Sequence, residues 1–120
     1  MRLWTVPILA LGAVLSSLSD EPNEGAMRAA FETSLAAQVQ NALDFVAETN
    51  GPEAVAKVRE AGTDRFAVEG FRKLGCRRDD RGGHVCRFAV DIEVVSGRLR
   101  EELTGRFYQH DDRILFTYDA

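Results

Sequence analysis

The spacing of apolar residues changes once along this chain, near Thr63, and no other feature constrains the fold as much. Before that point Met27, Phe31, Leu35, Val39, Ala42 and Val46 recur every three or four residues, which puts them on one stripe of a helix. After it the spacing is two. Cys86, Phe88, Val90, Ile92 and Val94 fall on one side of an extended strand, and Arg87, Asp91 and Glu93 on the other. A chain of 120 residues with a helical half and an extended half is an α+β domain, long enough for one core and too short for two.

The helical half predicts a long helix over Asp20 to Glu48, with Asn23 as N-cap and Pro22 at or before the first turn. Asn50-Gly51-Pro52 ends it. Pro52 to Ala61, closed by Gly62, reads as a short second helix with Val55 and Val58 on its apolar face. In the extended half Phe66 and Val68 alternate, Glu69-Gly70 interrupts, and Phe71 and Leu74 resume out of phase, which predicts a β-bulge at Gly70. Ser96-Gly97 is the expected hairpin turn. It pairs Val94 with Leu99, Phe88 with Gly105, Cys86 with Phe107 and His84 with Gln109. That register sets Glu93 against Arg100, but also Asp91 against Glu102 and Arg87 against Arg106. His110-Asp111-Asp112 turns the chain into a last strand carrying Ile114, Phe116 and Tyr118. The expected architecture is a long N-terminal helix and a short helix packed on a four-stranded antiparallel meander, with one dry sheet face and one wet.

The first nineteen residues are of another kind. Arg2 is the only charged side chain before Asp20, Leu3 to Leu15 is mostly apolar, and Ser17 and Ser19 form a small-x-small exit. These are the parts of a secretory signal peptide, in a run shorter than the roughly 20 residues a spanning helix needs. Cleavage is expected between Ser19 and Asp20, leaving a single domain over 20–120 with no stable membrane span; an uncleaved anchor is the alternative. The expected location is periplasmic or extracellular. An even cysteine count in an exported chain predicts a disulfide between Cys76 and Cys86. Two cysteines alone are too few for structural zinc, and their spacing is not Cys-x-x-Cys.

Charge narrows the partners. A net charge of −4 excludes the broad basic surface of a general nucleic-acid binder. The charge is uneven, with −6 over residues 20–64 and +1 over residues 65–120. Arg72, Lys73, Arg77, Arg78 and Arg81 gather about the cysteine hairpin, either as a solvated loop kept soluble by its charge or as a contact for an anionic partner such as lipid headgroups, an envelope polymer or an acidic protein patch. Phe31, Leu35, Phe88, Val90, Leu103, Phe107 and Phe116 lie between helix and sheet, as plain core or as the lining of an apolar pocket, with Glu101 the one charge on that face. His84 and His110, with Asp111, are the only candidate metal ligands, and Asp91 with Glu102 are opposed carboxylates on the wet face. No nucleophile elbow, phosphate-cradling glycine loop or His-Glu-x-x-His motif occurs, and Gly82-Gly83 reads as a flexible loop tip. No catalytic residue, cofactor or metal is assigned.

The order of elements over Asp20 to Ala120 resembles the cystatin-like and nuclear transport factor 2-like folds, which implies a curved sheet wrapped against the long helix. Cystatin-like inhibitors carry a Gln-x-Val-x-Gly hairpin; here Gln38-Val39-Gln40-Asn41 stands inside the predicted helix. Ketosteroid isomerase and its relatives place carboxylates and a tyrosine in an apolar cone, and none of those positions carries over. With its leader and cysteine pair the chain is also similar to small exported bacterial domains. The expected function is an exported binding or interaction module without catalytic activity, its partner a protein or an envelope component. The alternatives are a small-molecule carrier with a pocket between helix and sheet, and a cone-fold enzyme with unidentified acid and base.

Overall fold

Asn23 decides where the first helix begins. Its side chain accepts a hydrogen bond from the Ala26 N–H at 2.8 Å, and helix α1 runs Glu24–Asn50 in the computed structural model, which describes residues 21–118. The predicted leader and its cleavage point lie outside the described residues. Helix α2 follows at once as Pro52–Ala61, closed by Gly62 in the left-handed conformation. Strands β1 (Phe66–Arg78), β2 (His84–Val94), β3 (Gly97–His110) and β4 (Arg113–Tyr118) form one antiparallel sheet in chain order. The expected α+β architecture is the observed one. No described helix is long and apolar enough to cross a membrane.

The first half of α1 lies on the sheet. Met27, Ala30 and Phe31 are buried against Val68, Phe71, Cys86, Phe88, Val90, Phe107 and Phe116, with Leu35 and Leu103 packed at the edge. The Phe31 ring meets those of Phe88 and Phe116 edge-on, at centroid distances of 5.3 and 5.5 Å. Full burial of one such ring contributes roughly 2–3 kcal/mol, so this aromatic cluster anchors the helix. The second half of α1 packs on α2 instead. The apolar stripe drifts there. Leu43 is buried, Val39 and Val46 are half-buried, and Ala42, expected on the stripe, is exposed. The partner changes from sheet to helix, so the buried azimuth changes with it.

β1 carries two irregularities. Pairing skips Glu69, as the sequence predicts, and skips Leu74 as well. Each skip moves the inward phase by one residue. Phe66 and Val68, then Phe71 and Lys73, then Cys76 and Arg78 therefore share the core side with their β2 partners. The second skip brings Cys76 directly opposite Cys86, and the two form the expected disulfide with Cα atoms 4.0 Å apart.

The β2–β3 register differs from the sequence expectation by two residues. Val94 pairs with Gly97, so the turn is Val95-Ser96 and not Ser96-Gly97. A two-residue slip leaves every side chain on its own face, so alternation is blind to it. Charge and packing are not. Asp91 now faces Arg100 and Glu93 faces Arg98, where the expected register opposed Asp91 to Glu102 and Arg87 to Arg106. Gly105 lands opposite Cys86, where the Phe116 ring leaves no room for a side chain.

Candidate functional site

The loop Asp79 to Gly83 closes β1 onto β2 and then folds against β3. The Asp79 N–H donates to the Gly83 carbonyl and the Gly82 N–H to the Asp79 carbonyl, each at 3.0 Å. Gly83 has a φ of 75°, and a Cβ on it would fall 2.8 Å from Tyr108 Cβ and 2.9 Å from Tyr108 Cα. Arg106 completes the attachment. Its Nη1 donates to the Gly82 carbonyl at 3.0 Å, its Nε lies 3.9 Å from Asp79 Oδ2, and its guanidinium sits 4.3 Å over the Tyr108 ring. The expectation of a flexible tip at Gly82-Gly83 is corrected: β3 holds it through a half-buried arginine and a glycine contact.

The first turn of α1 forms the facing wall. Lys73 sits on the core side of β1, opposite Phe88, and its ammonium reaches out to donate to the Pro22 carbonyl at 2.8 Å and to pair with the Glu21 carboxylate. This lysine ties the start of the helix to the sheet. The hydrogen bond and charge of Lys73 hold the Glu21 carboxyl below its ordinary value of 4.5, with a smaller contribution from His84. The Asp79 carboxyl is held below 3.8, first by its hydrogen bond from Arg81 and least by Arg106.

Between these walls opens a cleft of about 800 Å³. Arg78, Arg81, His84 and Arg106 line it together with Tyr108, and among the described residues Glu21 is the one carboxylate on its surface, with Asp79 behind it engaging Arg81 at 2.7 Å. Arg106 is only 19% exposed, and its Nε has no hydrogen-bond partner among the described residues. Guanidinium groups hold carboxylates and phosphates through paired N–H donors, so this lining favours an anion. Of the five basic residues expected to act together, only Arg78 and Arg81 reach the cleft. Lys73 is engaged by Glu21 and Pro22, while Arg72 and Arg77 point to the outer face opposite Ala89 and Val85. Arg106 and Tyr108 were not legible as site residues, because the expected register misplaced β3 against the loop.

The remaining candidates fall elsewhere. His84 pairs with Phe107, not Gln109, so His110 lies beyond it at the β3–β4 turn, opposite Arg113. His110 Nε2 is 3.7 Å from Asp111 Oδ2, and no three His, Cys, Asp or Glu side chains among the described residues are grouped to hold a metal ion. Phe31, Phe88, Phe107 and Phe116 meet one another ring to ring between helix and sheet. Val90 is buried with them, and Leu35 and Leu103 pack against the cluster. Asp91 and Glu102 are not opposed. Asp91 takes Arg98 at 3.1 Å and Arg100 at 3.5 Å, while Glu102 takes Arg87 at 3.2 Å, so each carboxylate of this ladder has its own cation.

In comparisons with known proteins, no family model, no curated protein and no solved structure matches this chain.

Proposed function

We propose that this chain is an exported interaction module without catalytic activity of its own, and that it receives a carboxylate or phosphate group of its partner in the cleft between the β1–β2 loop and the start of α1. The observation that carries this reading is the gathering of Arg78, Arg81, Arg106 and His84 around one cleft with a single carboxylate on its surface. Arg106 is already fixed by the loop and by the Tyr108 ring, so it loses little freedom when an anion docks. Export draws support from the disulfide, which persists in oxidising compartments. The interior gives the carrier reading little, because the aromatic rings occupy the space a ligand would need.

The test is a titration of the purified, isotope-labelled chain with a glutamate hexapeptide and, separately, with inorganic phosphate. Saturable shifts at the Arg78, His84 and Tyr108 amides, weakened by Arg78→Ala and by salt, are the expected result. A preference for the peptide would identify a protein partner, and a preference for phosphate a phosphorylated envelope component. Titrations without saturable change at these three residues would refute the proposal.

A further inference from the structure

β4 covers only part of β3. It pairs with Gly105–His110 and ends at Tyr118 opposite Gly105, so among the described residues nothing pairs the outer edge of residues 97–104. Eight residues of open strand are a template for another chain. The sheet's other long edge, on β1, is broken by two bulges, and its charged residues from Arg72 to Arg78 are all cations, which would repel a second β1. The open segment of β3 is different. It mixes signs, with Arg98, Arg100 and Glu102 on the outer face and Leu99, Glu101 and Leu103 on the core side.

We infer that this open edge pairs with the same edge of a second copy, antiparallel about a two-fold axis at Glu101. A two-fold axis perpendicular to the sheet keeps each face on its own side, so only registers that match odd residues with odd are allowed. With the axis at Glu101, Arg100 faces Glu102 of the second copy and Leu99 faces its Leu103, each contact made twice, and Arg98 faces Thr104. Moving the axis to Arg100 brings Arg98 to Glu102, but it opposes two arginines, sets both Leu99 side chains against Glu101 and loses the Leu99–Leu103 contacts. Moving it to Glu102 opposes two glutamates as well, but it sets both Leu103 side chains against Glu101 and leaves Arg100 facing Thr104 with no opposite charge. One register is therefore selected by charge and by apolar contact together. It also ends at Thr104, where β4 begins to occupy the edge. Leu99 is 49% exposed in the single chain and gains an apolar neighbour in the pair. The two Glu101 carboxylates face each other at the axis, which keeps the association weak and reversible. An interface of one strand pair belongs to the small, transient class.

Sedimentation velocity on the full purified chain, from micromolar to millimolar concentration, reads the association directly. A reversible monomer–dimer equilibrium is expected. Arg100→Glu should raise its dissociation constant by at least about tenfold, because the substitution counts twice across the axis; it also sets a glutamate against Asp91 within the chain, so its fold is checked by circular dichroism. Adding Glu102→Arg to that variant should restore dimerisation by exchanging the pair. Glu101→Leu should tighten the dimer, and among the described residues Glu101 makes no ion pair or side-chain hydrogen bond, so this variant tests the axis independently of folding. A monomer at every concentration, or a dimer indifferent to Arg100→Glu and to Glu101→Leu, would overturn the inference.

Discussion

Gly105→Ala and Gly75→Ala are the same chemical change in two strands of one sheet, and they should move stability in opposite directions. A Cβ at position 105 would lie 2.7 Å from Phe116 Cζ, closer still to Cε1, and 3.0 Å from the Thr117 carbonyl oxygen. The ring cannot swing clear. It stands edge-on to Phe31 at 5.5 Å and to Phe88 at 5.7 Å, and lies 4.9 Å from Phe107. Overpacking of this kind costs about 1–3 kcal/mol, and two rigid obstacles place this site at the upper end. For a domain of this size that lowers the thermal midpoint by roughly 10–20 °C. At position 75 a Cβ meets nothing within 4 Å and the backbone φ is not positive, so alanine should stabilise by about 0.4–1 kcal/mol through the unfolded chain. Urea unfolding followed by circular dichroism measures both. Adding Phe116→Ala should remove most of the extra cost of Gly105→Ala, leaving only the tight contact with the Thr117 carbonyl, a coupling visible in a double-mutant cycle. If Gly105→Ala is as stable as the parent chain, or if its cost is undiminished without the Phe116 ring, the packing argument fails.

Phe31→Ala should cost about 3–5 kcal/mol, much of the stability of a domain this small, and leave it largely unfolded by near-ultraviolet circular dichroism; retention of a sharp thermal transition at the original midpoint would contradict that. Reduction of the Cys76–Cys86 bridge releases a short loop worth about 3 kcal/mol in the chain-entropy picture, so the midpoint should fall with reductant and Cys76→Ala/Cys86→Ala should match the reduced protein. Glu21 and Asp79 both have lowered carboxyl values, so as pH falls the unfolded chain takes up their protons first. Their stabilisation is complete above about pH 4.5 and is lost as pH drops through the folded values. Glu21→Gln should flatten the part of the acid limb that begins at 4.5, seen as thermal midpoints less sensitive to acid.

The elements were legible because local chemistry sets them. Asn23 caps α1, Pro52 and Gly62 bound α2, and the alternation through Cys86 to Val94 is a strand in any context. The β2–β3 register was not, since facing side chains repeat every two residues and two candidate turns overlap by one. The like-charge pairs Asp91–Glu102 and Arg87–Arg106 were the warning in the sequence, and the observed register removes both. The skip at Leu74 was also implicit. Phe71 and Cys76 are five residues apart, so both can face inward only if one residue between them is extra. The cleft was illegible for a different reason. It depends on Arg106 meeting Gly82 across 24 residues of chain, and that contact follows only once the register is right.

Because strand order equals chain order, each strand's partner is the one made just before it. Helix α1 alone must wait. It precedes the sheet in the chain, yet Phe31 needs Phe88 and Phe116, and β4 is the last described element. The hydrophobic interior therefore closes only after β4 has been made. Until then Met27 and Phe31 lack their partners on the sheet, so the core rests on contacts between distant parts of the chain, the kind that form slowly.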